Sequence, residues 1–271
     1  MNQASPVRPA LLKEVLIQAA AIVTKLYNSG TMVTRKTDGS PLTHADTHVD
    51  KFLHSTLKKL LPSAAWLSEE TADEPTRLTY DWVWIVDPLD GTKEFARGTP
   101  EFAISIGLVY RHIAVLGGII NPVTNEGGVG SLDGDIQFWG MPNGVTAAAD
   151  LIRTTASVSR TEFEDGTLLS YLPLVGTVRP VGSVAYKLLR AAAGVDDLTF
   201  TVRPKSEWDI CGGVALLGGV NKVYRRFDHE PVLFNRRDIS IRCGAVAGGE
   251  TLVSQFMVEV VRQGLSRRTT G

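Results

Sequence analysis

The chain has 271 residues, 44% of them apolar, enough for one large or two modest domains with a sizeable core. Its 28 Lys and Arg nearly balance its 29 Asp and Glu, and no long basic run is present, so binding to a nucleic acid polymer has little support. Cys211 and Cys243 are too few for a disulfide framework or a structural zinc site, and a reduced, cytoplasmic setting is the simpler expectation.

Leu11, Leu12, Val15, Leu16, Ala19, Ile22, Val23 and Leu26 recur with helical spacing. They predict a long amphipathic helix ending near Asn28, with Gly30 suited to its C-terminal cap. The most apolar part, residues 15–23, contains Gln18 and is too short to cross a bilayer. The start of the chain also lacks the basic-then-apolar pattern of a signal peptide, so no membrane role is expected. "RKTDGSPLTHAD" (35–46) is expected to be a loop, because Gly39 and Pro41 interrupt any helix. Thr43 stands where it can cap a second helix carrying Val49, Phe52, Leu53, Leu57 and Leu60.

After Pro62 the pattern turns to strands. "AAWLSEE" predicts a short strand ending at Glu69 and Glu70, and "DWVWIVD" a buried strand ending at Asp87. "FAISIGLVY" and "IAVLGGII" flank Arg111-His112 as a hairpin, and "GDIQFWG" adds a strand. Small residues over 141–149 suggest a boundary, dividing the chain into 1–142 and 143–271. Beyond it "LIRTTASVS" and "LTFTV" predict strands, "SVAYKLLRAAAG" and "WDICGGVALLGG" helices, and residues 251–261 a late helix.

The chemistry lies in the acids. Asp87 and Asp90 stand three apart around Pro88, at the end of a buried strand. Proline has no N–H and a fixed φ, so it is expected to turn the chain and aim both acids at one point. Two bare carboxylates there would repel, and burial makes ionisation harder still. A hard divalent cation such as Mg²⁺ resolves both problems. Glu69 and Glu70, ending the neighbouring strand, and Asp209, starting a helix, are placed to join them. Taken singly, each has an ordinary structural explanation: "DPLDG" as a turn, "EE" as a solvated loop, Asp209 as a helix cap and Thr92 as the cap of whatever follows Gly91. Gly91 also permits an unusual backbone angle or the close approach of a phosphate.

Together, "SEE" (68–70), "WIVDPLDGT" (84–92) and "EWDICGG" (207–213) resemble the inositol monophosphatase superfamily of Mg²⁺-dependent, lithium-sensitive phosphatases. The resemblance implies a mixed α/β (α+β) fold, a layered αβαβα sandwich. It implies two or three Mg²⁺ ions per site, held by Glu69, Asp87, Asp90, Asp209 and the Leu89 carbonyl. Catalytic roles fall on Glu69, Glu70 and Thr92, which orient the attacking water, and on Asp46 beside Thr92. The first half of the chain would carry most metal ligands. The second would carry Asp209 and the groups that select a small phosphorylated metabolite. A homodimer is compatible with this picture.

"KTDGSPLTHAD", "LDGTKEF" and "GTPEFAISIGLV" are most similar to the 3′(2′),5′-bisphosphate nucleotidases, which remove the 3′-phosphate of 3′-phosphoadenosine 5′-phosphate. Inositol-1-phosphate and histidinol-phosphate phosphatases are the alternatives, the latter sharing "SPLT" and Lys93. A catalytically idle sensor of a phosphorylated metabolite is the alternative of another class, and the intact acids argue against it. Gly91, Thr92, Gly182, Ser183 and Lys187 are the expected substrate-binding residues. Lys187 and Arg190 are candidates for a second phosphate, but on a helix such a pair more often forms an exposed cationic face; Arg35, Lys36 and Arg97 are equally ambiguous. Cys211 stands where a small alanine is common in the superfamily, and a packed side chain is expected there.

Overall fold

The computed structural model describes residues 4–29, 33–35, 41–142 and 148–265. In chain order the first part runs α1 (Pro9–Asn28), β1 (Val33–Arg35), β2 (Pro41–Thr43), α2 (His44–Leu60), β3 (Ala65–Ser68), β4 (Trp82–Asp90), α3 (Thr92–Ala96), β5 (Ala103–Tyr110), β6 (Ile113–Ile120), β7 (Gly127–Ser131) and β8 (Ile136–Trp139). The second part runs β9 (Thr155–Ser159), α4 (Arg160–Glu164), β10 (Thr177–Val181), α5 (Val184–Ala193), β11 (Leu198–Thr201), β12 (Lys205–Ser206), α6 (Glu207–Gly219), β13 (Val223–Arg226), β14 (Ser240–Ile241), β15 (Ala245–Gly248) and α7 (Glu250–Arg262).

Two sheets organise these elements. The first has the order β3-β4-β5-β6-β7-β8, and the second β10-β9-β11-β15-β13. Only β3 joins the first sheet in parallel. In the second, β10, β9 and β11 are parallel, and β15 and β13 are antiparallel.

The strands of the first sheet alternate between two cores. On β4, Trp84 and Val86 face one core with α1 and α2, while Val83 and Ile85 face another with α5 and α6. Successive side chains of a strand point to opposite faces, so a run apolar at every position is buried on both. α5 packs on both sheets, and α7 covers the far side of the second through Val253, Phe256 and Val260. The layers therefore run α1/α2, first sheet, α5/α6, second sheet, α7, as the αβαβα expectation holds. The middle core draws on both halves of the chain.

Local signals explain most boundaries. Pro9 begins α1, where its missing N–H costs nothing. The β5–β6 hairpin turns on Arg111 and His112, both at positive φ, as a tight two-residue turn requires. Ser183 caps α5 by accepting from Tyr186 N, and Gly194 ends it in the left-handed region.

Several expectations are corrected. Part of the predicted 35–46 loop is a strand, β2, which pairs with β1; residues 36–40 lie outside the described residues. β7 carries no strand signal of its own: "GGVGS" is mostly glycine, and its strand state comes from its neighbours β6 and β8. "LIRTTASVS" is a strand only from Thr155, after a short 3₁₀ turn at Leu151–Arg153. Gly30, Lys36 and residues 143–147 of the expected boundary also lie outside the described residues.

Candidate metal and phosphate site

Pro88 does not end β4. The strand runs through it to Asp90, and the pairing with β5 shifts register on the way. Asp87 pairs with Ser105 and Asp90 with Ala103, so three steps on β4 match two on β5. In a regular strand, residues three apart face opposite sides. The one extra residue of this bulge puts Asp87 and Asp90 on the same side, and a proline without an N–H is tolerated at such a break in the ladder. Gly91 follows at φ 98°, a left-handed angle that disfavours any side chain.

Asp209 arrives from the far half of the sequence on the first turn of α6. That helix lies close on the sheet because glycines face each other. A Cβ on Gly117 would sit 2.2 Å from the Gly212 carbonyl oxygen, and one on Gly212 would sit 2.8 Å from the Ile106 carbonyl oxygen. Cys211 packs its Sγ over Gly107, as a buried side chain, and burial pushes its thiol pKa up. Gly212→Ala is expected to destabilise the fold by about 1–3 kcal/mol through overpacking. Because Asp209 rides on the same helix, Mg²⁺ affinity should fall with it. Denaturant unfolding and calorimetry would check both effects, and a variant of wild-type stability would contradict the seating argument.

The structure brings Asp87, Asp90 and Asp209 together, each offering one oxygen within 4.8 Å of the others. Asp87 is buried and Leu89 N donates to its Oδ1 at 3.0 Å. Its Oδ2 is buried with no hydrogen-bond partner among the described residues. Burial, followed by the charges of Glu69, Asp90 and Asp209, holds the Asp87 carboxyl well above the usual range. Burial and Asp90 likewise push Asp209 up to about 7, although Ser206 N donates to its Oδ2 at 2.8 Å. An orphan carboxylate oxygen in a nest of repelling acids fits a hard divalent cation, whose charge compensates both the burial and the repulsion.

Glu69 follows β3, and its amide continues the ladder by donating to the Val86 carbonyl at 3.3 Å. It lines a cavity of about 210 Å³ with Asp90, Gly91 and Thr92. Glu70 is half-buried beside it. The Thr92 hydroxyl lies 3.2 Å from Asp46 Oδ1 and 3.1 Å from the Leu89 carbonyl oxygen. One hydroxyl hydrogen serves one acceptor at a time, and its lone pairs remain to accept from a water.

Two supporting groups escaped the sequence reading. Asp50, buried on α2, accepts from Ser68 Oγ at 2.5 Å and Thr71 Oγ1 at 2.7 Å, and so braces both ends of Glu69-Glu70. The signal was its i,i+4 spacing from Asp46, which sets two acids on one side of an amphipathic helix, both of them buried. Glu101 accepts from Arg160 at 2.6 Å and from Gly182 N at 2.7 Å, tying the two halves of the chain together. That link spans 81 residues and leaves no local pattern.

The far wall of the cavity is the turn into α5. Ser183 Oγ and Ala185 N both donate to Asp90 Oδ2, at 2.7 and 2.6 Å. Ser183 has φ 53° and ψ 124°, a strained conformation for a residue with a side chain, costing on the order of 1–3 kcal/mol. Lys187 and Arg190 do not form an exposed cationic face, since both are buried. Lys187 Nζ donates to the carbonyls of Val181, Gly182 and Ser183, and burial brings its pKa down to about 8. Arg190 pairs with Asp196 at 2.7 Å. Largely covered by the apolar layers on either side of α5, both cations take internal partners, and Lys187 also stands in the lining of the cavity. Arg97 is exposed.

A five-layer αβαβα sandwich with a carboxylate cluster where its two halves meet defines a class of metal-dependent phosphoric monoester hydrolases. The chain belongs to the inositol monophosphatase family, which it matches over residues 4–256. It is 31% identical over 219 residues to inositol monophosphatase 3 of Solanum lycopersicum, covering 75% of this chain and 81% of that one. It is 28% identical over 256 residues to the 3′(2′),5′-bisphosphate nucleotidase CysQ of Aggregatibacter actinomycetemcomitans, covering 87% and 90%. Among solved structures, the Thermotoga maritima IMPase superposes with a TM-score of 0.75 at 23% identity, over 92% of this chain and 96% of that one. No helix among the described residues is long and apolar enough to cross a membrane.

Proposed function

We propose that this phosphatase is a Mg²⁺-dependent 3′(2′),5′-bisphosphate nucleotidase, converting 3′-phosphoadenosine 5′-phosphate to AMP and phosphate. The observation that carries the reading is the cationic side of the cavity. Arg160 and Lys93 line it together with Glu69 and Asp90. The Arg160 Nε is buried without a partner among the described residues, and Glu101 holds the guanidinium in place. A single phosphate at the carboxylate cluster needs only the cation there, whereas a second phosphate needs positive charge set apart from it. The motifs around Pro41 and Lys93, and the similarity to CysQ, favour the same substrate class.

Asp87, Asp90, Asp209, Glu69 and the Leu89 carbonyl would hold Mg²⁺, which supplies charge for the phosphoryl oxygens and a lowered pKa for a bound water. Thr92, held between Asp46 and Leu89, would accept a hydrogen from that water and align it, with Glu70 close by. Gly91 would let the phosphate approach the backbone. Residues 1–142 would then carry most of the ligands, and residues 143–271 would supply Asp209 and select the substrate. The two free cysteines, both buried, accord with a cytoplasmic enzyme.

Inositol 1-phosphate is a second reading. The inositol monophosphatase relatives favour it, as does Glu94, a buried acceptor in the cavity suited to a polyol hydroxyl. Phosphate release with Mg²⁺ should separate the two readings. The panel is 3′-phosphoadenosine 5′-phosphate, inositol 1-phosphate, histidinol phosphate and fructose 1,6-bisphosphate. The bisphosphate nucleotide should give the highest kcat/KM. A much higher value for any of the other three rejects the nucleotidase assignment.

A further inference from the structure

The resemblance assigns Ser183 to the substrate, but its hydrogen bonds run to a carboxylate of the protein. We propose that Ser183 is a positioning residue for Asp90: its hydroxyl and the start of α5 hold one oxygen of that side chain so that the other faces the cation. This rests on the reading of the acidic cluster as a Mg²⁺ centre.

Asp90 ends β4 beyond the bulge and is followed by Gly91, so its own backbone does little to restrain it. Asp87 has Leu89 N as a local anchor. The anchors of Asp90 come from 93 and 95 residues away, Ser183 Oγ and Ala185 N, and both converge on Oδ2. Hydrogen bonds to an ionised acceptor are short and strong, and two on one oxygen fix both torsions of an aspartate. The direction of the hydroxyl is also set. Ser183 Oγ accepts from Tyr186 N at 3.0 Å, which turns its single hydrogen toward Asp90.

The surroundings keep Ser183 in this strained conformation. Gly182 N is held by Glu101, and Arg160 donates both to Glu101 and to the Pro180 carbonyl. On the other side Lys187 Nζ clamps the Ser183 carbonyl at 2.7 Å. A strained residue persists where its neighbours over-determine it, and such positions gather at functional sites. Here the strain aims the hydroxyl.

Calorimetric titration of Mg²⁺ alone into metal-free wild type, Ser183→Ala and Ser183→Gly tests the assignment, with substrate kinetics measured at saturating Mg²⁺. Both variants should bind Mg²⁺ roughly tenfold more weakly, the scale of one charge-assisted hydrogen bond. Their KM for the nucleotide should stay within about twofold of wild type, since saturating metal restores the ligand geometry. Ser183→Gly should also melt at or above the wild-type temperature, because glycine accepts the positive φ. Wild-type Mg²⁺ affinity in Ser183→Gly overturns the role. So does a raised KM at unchanged Mg²⁺ affinity, which would return Ser183 to the substrate. A wild-type protein that takes up no Mg²⁺ overturns the metal centre itself, and this role with it.

Discussion

Asp87→Asn is expected to lose Mg²⁺-dependent phosphatase activity by about a thousandfold or more, and to be more stable than wild type in metal-free buffer. The two halves of this expectation share one cause. The wild-type carboxylate is buried, its Oδ2 has no partner among the described residues, and three other acids push its pKa up. Without a cation, that arrangement is a cost to the fold. An amide of the same shape removes the repulsion and can donate to the neighbouring carboxylates. With a cation, the same carboxylate becomes a ligand, and its loss removes several kcal/mol of charge stabilisation at the phosphoryl group. At about 1.4 kcal/mol per decade, that is three decades or more of rate. Phosphate release and thermal melting in chelator would measure the two effects. Wild-type turnover in the variant would remove Asp87 from the site, and a lower metal-free melting temperature would remove the repulsion argument.

The second large effect is a pH dependence that reverses when Mg²⁺ is added. The folded-state pKa of Asp209 is raised from 3.8 to about 7, and that of Asp87 is raised as well. A carboxyl raised on folding binds its proton more tightly in the folded state. Its stabilising contribution is complete below the unfolded value and is lost as pH rises through the folded one. Metal-free protein should therefore lose stability from Asp209 between about pH 4 and about pH 7, with Asp87 acting in the same direction. Asp73 and Asp228, lowered by hydrogen bonds from Arg77 and Arg226, and Asp238, lowered by the Ser240 amide and then Arg242, act in the opposite sense and only at the acid end. Mg²⁺ needs the ionised ligands, so its affinity should climb over the same interval and level off above about pH 7. The increment in Tm on adding Mg²⁺, followed from pH 5 to 8, reports this directly. An increment independent of pH would mean that the raised carboxyls do not hold the ion.

Much of the fold was legible. α1, α2, α5, α6 and the β5–β6 hairpin carry period, cap and turn signals that act over a few residues, and each forms where those signals lie. β7 does not, because its glycines have no preference of their own and become a strand only by pairing. The acids were legible as types and as a set. Their convergence was not a local property. Pro88 was expected to turn the chain, but a bulge in the pairing with β5 does the work. Lys187 is named for the substrate, and Lys187 and Arg190 as a helical pair more often lie in solvent. They are buried because α5 lies between two sheets, which no pattern within α5 reveals.

What the amino-acid order determined alone is the inventory: which segments are helix or strand, and which carboxylates, hydroxyls and glycines stand at their ends. Those outcomes depend on neighbours within one or two turns. Folding decided the directions. The extra residue in β4 turned Asp90 to the side of Asp87, glycine-to-glycine contact lowered α6 until Asp209 joined them, and a serine from the other half took hold of Asp90. Each of these is a contact between residues far apart in sequence, and only three-dimensional packing sets its geometry.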